Sequence, residues 1–285
     1  MSAAPLTLEA VRAGLGRQAA ALEIECVAAT GSTNADLLAR ARAEGTARRP
    51  RLLVAERQTA GRGRHGRAWH AEPGASLTFS LAWPLVTAAL SGLSLAVGVA
   101  VAEAIDPARA EPRHVGLKWP NDLWLVGSGE PGRKLGGILI ETAPIDGGRV
   151  AVVGVGINII EQRIAKAASG VAWLREIDAG ATPLSTLGRV VPALAEALAR
   201  FDDEGFAAFA TRFSGRDLLA GRPVRCSSGA GAAGVDGVAT GVSASGELLV
   251  RTASGIEAIG SGEVSVRLAE GDAMASTAAA AGWPC

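Results

Sequence analysis

Residues 56–69, Glu-Arg-Gln-Thr-Ala-Gly-Arg-Gly-Arg-His-Gly-Arg-Ala-Trp, constrain this chain more than any other stretch. They follow a clear strand, Leu52-Leu53-Val54-Ala55, and then fit neither a strand period nor a helix period. Gly61, Gly63 and Gly66 let the backbone turn sharply and approach a ligand. Arg57, Arg62, Arg64, Arg67 and His65 add donors suited to carboxylate and phosphate. The spelling Gly61-x-Gly63-x-x-Gly66 matches the dinucleotide-binding pattern, but that pattern must open a helix and meet an acid about 20 residues later. Here it runs into Trp69-His70-Ala71-Glu72-Pro73-Gly74, and no acid lies near Leu85-Val86. A Rossmann reading is therefore excluded. The stretch is a loop: a solvated basic hairpin, a nucleic-acid patch, or a mobile segment that folds over a small anion.

The flanking sequence alternates strands and helices. Residues 7–22 read as one helix with Thr7 as N-cap, and residues 23–28 as a strand. Thr33 and Asp36 fit a capping box that opens a helix ending at Gly45. Ser32 and Thr33 either cap that helix and do nothing else, or turn their hydroxyls to a ligand. Residues 76–83 alternate as a half-buried strand, and residues 90–105 form a helix apolar almost all round, hence buried on several sides. Lys118-Trp119-Pro120-Asn121-Asp122 lies between two strand-like pieces. A turn explains Pro120, Asn121 and Asp122 but not Lys118 with Trp119 and Trp124, and an indole can stack on a base. After a loop over 127–132, Ile138-Leu139-Ile140 is a buried strand with Lys134 at its mouth. Lysine at a strand end usually lies in water, yet Gly136 and Gly137 mark a place where something packs close. Residues 151–158 form another buried strand, with Gly154 and Gly156 inside it and Asn158 at its end. Helices are expected over 184–200 and 204–213. From 219 to 268 short strands and Gly/Ser turns suggest a small β-barrel, and the Ala/Gly/Ser-rich tail from 269 suggests flexibility.

Lys+Arg and Asp+Glu both number 28, so the net charge is zero and the basic loop is a local feature. A dedicated DNA binder would be basic overall, and a single helix before the first strand leaves no room for a helix-turn-helix. Cys26, Cys226 and Cys285 show no metal-ligand or CxxC spacing and read as free thiols of a reducing compartment. No signal peptide or membrane-length apolar run is present. A cytoplasmic protein is expected.

Four motifs occur in an order and spacing that resemble the biotin–protein ligases: Gly61-Arg62-Gly63-Arg64-His65-Gly66-Arg67-Ala68-Trp69, Lys118-Trp119-Pro120-Asn121-Asp122, the segment from Arg133 to Glu141, and Gly154-Val155-Gly156-Ile157-Asn158. Ser32-Thr33-Asn34 and Gln58 match as well, and Ser261-Gly262-Glu263-Val264-Ser265 resembles the end of that family's SH3-like domain. The match spans roughly residues 23–268. It implies an α+β fold, a mixed β-sheet with helices packed mainly on one side (the class II synthetase-like, biotin–lipoate ligase type), plus a small C-terminal SH3-like barrel. The expected division is an N-terminal helical segment 1–22, a biotin/ATP-binding catalytic domain 23–218, the SH3-like domain 219–268 and a flexible tail 269–285.

The resemblance also implies an enzyme, a biotin–[biotin carboxyl carrier protein/acetyl-CoA-carboxylase] ligase. It would make biotinyl-5′-AMP from biotin and Mg²⁺-ATP, release pyrophosphate, and pass biotin to a carrier-domain lysine. By the same match Ser32, Thr33, Gln58, Gly61, Arg62, Arg64, Lys134, Gly137 and Gly154 would face biotin or its acyl-phosphate. Trp69, Lys118, Asn121, Asp122 and Asn158 would serve ATP. Lys134, Arg64 and Asp122 are the expected catalytic residues. Bringing two anions together needs positioned cations, and Lys134 is favoured because it sits on a strand. Asp122 is the one candidate to touch Mg²⁺, or it orients Lys134 or the incoming lysine; no protein-built metal site is expected. A homodimer is allowed; DNA and membrane are not expected partners. His65 stands where the family's loop commonly has arginine, so no fixed charge is expected there. Two alternatives stay open: a lipoate-type acyl-protein ligase, and a non-catalytic nucleic-acid binder.

Overall fold

The computed structural model describes residues 5–46, 49–87, 89–107, 114–127, 130–162, 170–228, 234–260 and 264–268. Seven strands build the main sheet: β1 (Glu23–Thr30), β2 (Arg51–Gln58), β3 (Ser76–Leu85), β4 (Val115–Lys118), β5 (Asp122–Gly127), β6 (Glu130–Ile145) and β7 (Gly148–Asn158). Their spatial order is β1-β2-β3-β7-β6-β5-β4. β1 and β2 run parallel, with the helix α2 (Thr33–Glu44) as the crossover between them; the other neighbours are antiparallel.

Strand alternation gives the sheet two faces of different character. Leu52, Val54, Leu77, Phe79, Leu81, Val153, Val155 and Ile157 belong to the large core, which α1 (Leu8–Leu15), α3 (Leu93–Ile105) and α4 (Pro183–Glu204) cover. Leu53, Ala82, Val150, Val152 and Ala143 face the other way, onto Leu37, Leu38 and Ala41 of α2. Helices thus lie mainly on one side, as the sequence predicts. Next to the rows under α2 the same face carries small and polar residues. Thr78, Gly156, Gly137, Asp122 and Lys118 pair in one row across five strands, and Ser80, Gly154 and Leu139 form the adjoining row. Room for a ligand comes from that register.

The second sheet is antiparallel, in the order β11-β10-β9-β8-β12, from β8 (Pro223–Ser228), β9 (Val235–Val242), β10 (Leu248–Thr252), β11 (Gly255–Ile259) and β12 (Val264–Leu268). The segment leading into it is clamped by a buried ion pair, Arg216–Asp106 at 3.0 Å, and Arg216 also donates to the Val115 carbonyl. The turn between β9 and β10 packs on the first sheet's layer. The Trp119 indole N–H donates to the Gly246 carbonyl at 3.0 Å, and a Cβ on Gly246 would come 2.7 Å from Gly92 Cα.

Several local expectations change. The first helix ends at Leu15, because Gly16 takes φ 55°, and continues as a 3₁₀ segment to Ala21. β3 is buried on both faces, since α2 and the basic loop cover the side that alternation alone would leave in water. β6 already begins at Glu130, inside the expected loop. The helix expected over 204–213 is a 3₁₀ turn, Phe206–Phe209, followed by a short α5 (Ala210–Ser214). Residues 261–263 and the tail 269–285 lie outside the described residues. No helix among the described residues is long and apolar enough to cross a membrane.

Candidate active site

The N-terminus of α2 is capped by Ser32, whose side chain accepts from Ala35 N, and not by a Thr33–Asp36 box. Asp36 instead accepts from the Thr30 hydroxyl. Thr33 is thereby free to point at the sheet. Its N–H donates to Gln58 Oε1 at 2.8 Å, and its hydroxyl lies 2.6 Å from Ser80 Oγ. Ser80 donates to Asn34 Oδ1 at 2.7 Å, and Asn34 Nδ2 donates to the Leu139 carbonyl and to Glu141 Oε2. Gly154 makes space for this cluster; a Cβ there would collide with Asn34 Oδ1.

The basic loop closes over this floor. Thr59 and Ala60 donate to the carbonyls of Thr30 and Gly31, tying the loop to the β1–α2 turn. Arg62 and Ala68 form an antiparallel bridge, Gly63 N–H reaches the Arg67 carbonyl, and Trp69 N–H reaches the Gly61 carbonyl. Gly61 is needed for that approach: a Cβ would lie 2.6 Å from Trp69 O. The Trp69 ring lies directly on Gly156, so the glycine gap in β7 seats the end of the loop. His65 takes φ 56°, a left-handed conformation that few non-glycine residues adopt and in which histidine, asparagine and aspartate are enriched.

At the other side the β4–β5 turn, β6 and the basic loop bring the charges together. Lys134 Nζ pairs with Asp122 Oδ1 at 2.6 Å. Arg64 donates to Asn121 Oδ1 at 3.4 Å, and Asn121 exchanges hydrogen bonds with the backbone of Ile138. Burial pulls the Arg64 guanidinium below its ordinary pKa; the Asp122 carboxylate opposes this and Arg67 adds to it. Lys118 Nζ sits 4.7 Å from the Trp124 ring centre.

These elements enclose a cavity of about 210 Å³. Ser32, Thr33, Gln58, Arg62, Arg64, Trp69, Lys118, Asn121, Asp122, Lys134, Gly137 and Gly154 all line it. Gly61 and Asn158 are not in the lining. Gly61 is packed against the Trp69 backbone and Gln58, and Asn158 lies behind the wall, with Nδ2 3.5 Å from the Lys134 carbonyl. Trp119 is buried with its indole N–H committed to Gly246, so it anchors the second sheet and does not stand ready to stack on a base. Sequence reasoning missed Asn34, Thr78, Ser80 and Val266, all of which line the cavity. The hydroxyls at 76, 78 and 80 were a readable signal, but alternation assigned them to solvent.

The cavity is polar but uncharged at one end, around Ser32, Thr33, Gln58 and Ser80, and cationic around Arg62, Arg64, Arg67, Lys118 and Lys134. Among the described residues Asp122 is the one carboxylate in its lining, and no cysteine is there. Such a site holds a ligand with a neutral hydrogen-bonding head and an anionic end, with phosphate beside it. It offers positioned charge. Among the described residues Trp69 Nε1 and Asn158 Oδ1 find no hydrogen-bond partner, a buried donor and a buried acceptor near the end of β7.

Residues 27–158 match the biotin/lipoate A/B protein ligase family, and residues 220–267 match the biotin protein ligase C terminal domain. The bifunctional ligase/repressor BirA of Salmonella typhimurium is 35% identical over 244 residues, 84% of this chain and 72% of that protein. A biotin–[acetyl-CoA-carboxylase] ligase of Mycobacterium tuberculosis is 41% identical over 174 residues, 60% of this chain and 58% of that protein. The biotin protein ligase of Aquifex aeolicus, solved with biotin and ATP, superimposes with a TM-score of 0.71 at 30% identity, covering 86% of this chain and 99% of that one.

Proposed function

The chain belongs to the biotin/lipoate A/B protein ligase family, and from that premise we propose that it is a biotin–protein ligase, attaching biotin to a carrier-protein lysine through biotinyl-5′-AMP. The observation that carries this reading is the two-ended cavity: a neutral hydrogen-bonding floor at Thr33, Gln58 and Ser80 that leads to Lys134 and Arg64. Biotin has that polarity, a ureido head and a carboxylate tail. A lipoate dithiolane has no hydrogen-bonding group to set against this polar floor, so the same cavity disfavours the lipoate alternative.

In the first step a biotin carboxylate oxygen attacks the α-phosphorus of ATP, the bond to the β-phosphate oxygen breaks, and pyrophosphate leaves. Two anions meet, and Lys134 is placed to lie against both, because β6 holds it rigidly and Gly137 next to it keeps the floor open. Arg64 and Arg62 close from the loop. Lys118, Asn121 and Trp69 line the wall toward the nucleotide, with Asn158 behind it. In the second step the neutral amine of the carrier lysine attacks the acyl carbon, its proton is lost, and AMP leaves. Asp122 is the nearest base, and its pairing with Lys134 shows that it can hold an ammonium group.

Magnesium would come as the nucleotide's own counter-ion. Among the described residues no three His, Cys, Asp or Glu side chains gather to hold a metal, and Asp122 is already committed to Lys134. The carrier would be the biotin domain of acetyl-CoA carboxylase or a related carboxylase, which sets the reaction in the cytoplasm. Pairing of two copies is supported by β6: from Leu139 onward it pairs only with β7 among the described residues, leaving an open edge. With zero net charge and the basic loop's Arg62, Arg64 and Arg67 turned onto the cavity, DNA is not among the proposed ligands. The test is mass spectrometry of a biotin carrier domain incubated with the protein and Mg²⁺-ATP. One biotinyl group should appear on one lysine with biotin and nothing with lipoate; a lipoyl adduct overturns the reading.

A further inference from the structure

The hydrogen bonds under the cavity favour one arrangement of protons. The Leu139 carbonyl can only accept, so the Asn34 atom 3.2 Å from it is Nδ2, which Glu141 Oε2 also holds at 3.0 Å. Asn34 Oδ1 therefore faces Ser80 and takes the Ser80 proton, at 2.7 Å. Ser80 has no second proton, so at the 2.6 Å contact with Thr33 it accepts and Thr33 donates. At the other end the Thr33 backbone N–H can only donate, which assigns Oε1 of Gln58 to the 2.8 Å contact with it. The Thr33 hydroxyl can donate to Ser80 at 2.6 Å or to Gln58 Oε1 at 3.2 Å; the shorter contact takes the proton, and neither direction sends it to the ligand. Thr33, Asn34 and Ser80 are all buried, so water does not compete for these directions.

We propose that Asn34, Ser80 and Glu141 are positioning residues that turn the Thr33 hydroxyl away from the cavity, so that the floor offers lone pairs there and selects a ligand that donates an N–H. This rests on the reading of the site as a biotin pocket and refines it: the ureido group would be recognised by donor direction as well as by shape. Gly154 belongs to the same device, because any side chain there would displace Asn34 Oδ1 and break the relay. None of the three residues needs to touch the reacting atoms.

The experiment is titration calorimetry of the full chain with biotin and with the two cyclic carbamates in which one or the other ureido N–H is replaced by oxygen. The wild type should bind biotin about 10- to 100-fold more tightly than the carbamate whose oxygen faces Thr33. In Ser80→Ala the Thr33 hydroxyl loses its nearer acceptor, keeps only the 3.2 Å contact with Gln58 Oε1, and can rotate to donate to that oxygen. The preference should then shrink to within about threefold. A general loss of structure would abolish binding of both ligands and the variant's cooperative melt with it. Thr33→Val, close in shape, removes the hydroxyl and should likewise lower the ratio, mainly by weakening biotin. A wild type that prefers biotin while both variants keep its ratio overturns the relay alone. A wild type that binds the carbamate as well as biotin also overturns it. A wild type that binds neither ligand overturns the biotin reading and the relay together.

Discussion

Replacing Lys134 by alanine should separate catalysis from stability. Lys134 and Asp122 stand 2.6 Å apart with 33% and 23% of their side chains exposed. Two unit charges about 3 Å apart attract by roughly 5 kcal/mol at an effective dielectric constant of about 20. Desolvation and side-chain ordering cancel most of that, and half-exposed pairs contribute only about 0.2–1 kcal/mol net. Lys134→Ala should therefore lower Tm by no more than about 4 °C in a chain of this size. Its effect on adenylation is of another order. A charge aimed at negative charge that develops in the transition state contributes roughly 2.7–4 kcal/mol, or about 10²–10³ in rate. The assay is biotin-dependent exchange of labelled pyrophosphate into ATP, run beside a thermal melt. kcat should fall by those two to three orders while KM for biotin moves little, because a transition-state interaction is what is removed. Exchange within about threefold of wild type would show that Lys134 is only the partner of Asp122. Loss of a cooperative melt would show that the ion pair is structural.

Arg64→Gly should release the intermediate: Arg64 bridges the loop to Asn121, and losing one charge-assisted bond costs about 1.5–3 kcal/mol, enough to raise escape of biotinyl-AMP roughly 10- to 100-fold. The ratio of biotin on bystander proteins to biotin on the carrier domain should rise, and a proportional fall in both would assign Arg64 to catalysis or folding. Gly156→Ala should push the Trp69 ring off β7 and raise KM for ATP about tenfold while melting close to wild type, since overpacking relieved by a loop side chain stays below the usual 1–3 kcal/mol; an unchanged KM would detach Trp69 from the nucleotide. Residues 57–69 should exchange amide hydrogens more slowly once biotin and ATP are added, and equal protection in both states would refute closure of the loop. Burial raises the Asp217 carboxyl from 3.8 to about 6, so between those values the native state holds the proton that the unfolded state has lost. Stability therefore falls as pH rises from about 4 to about 6, by at most about 3 kcal/mol. Asparagine keeps an acceptor for the Leu219 N–H and does not titrate, so Asp217→Asn should raise Tm at pH 7.5 and leave it unchanged at pH 4; an equal shift at both values would refute the titration.

Much of the site was readable in the chain because its parts are local. The Gly61–Trp69 run shows its loop character without a fold, since three glycines and four arginines in residues 56–69 forbid a helix or a packed strand. Gly45 ends α2 and the short Gly/Ser-punctuated strands after 219 form a separate sheet, and both follow from local backbone preference. What the chain could not show by itself was set by pairing over long separations. Thr78, Gly156, Gly137 and Asp122 become one row only through the register of β3, β7, β6 and β5, and a shift of one residue would turn each of them to the other face. Trp119 looked like a free aromatic beside a lysine, until a turn 127 residues away took its indole proton. Ser80 looked like a residue of a half-buried strand's solvent side, because alternation tells which residues share a face and not what covers that face. Local sequence determined the loops, caps and strands, and with them the kinds of charge on offer. The tertiary structure alone decided which of those groups meet, because hydrogen bonds and van der Waals contacts act over a few ångströms between residues that the chain holds far apart.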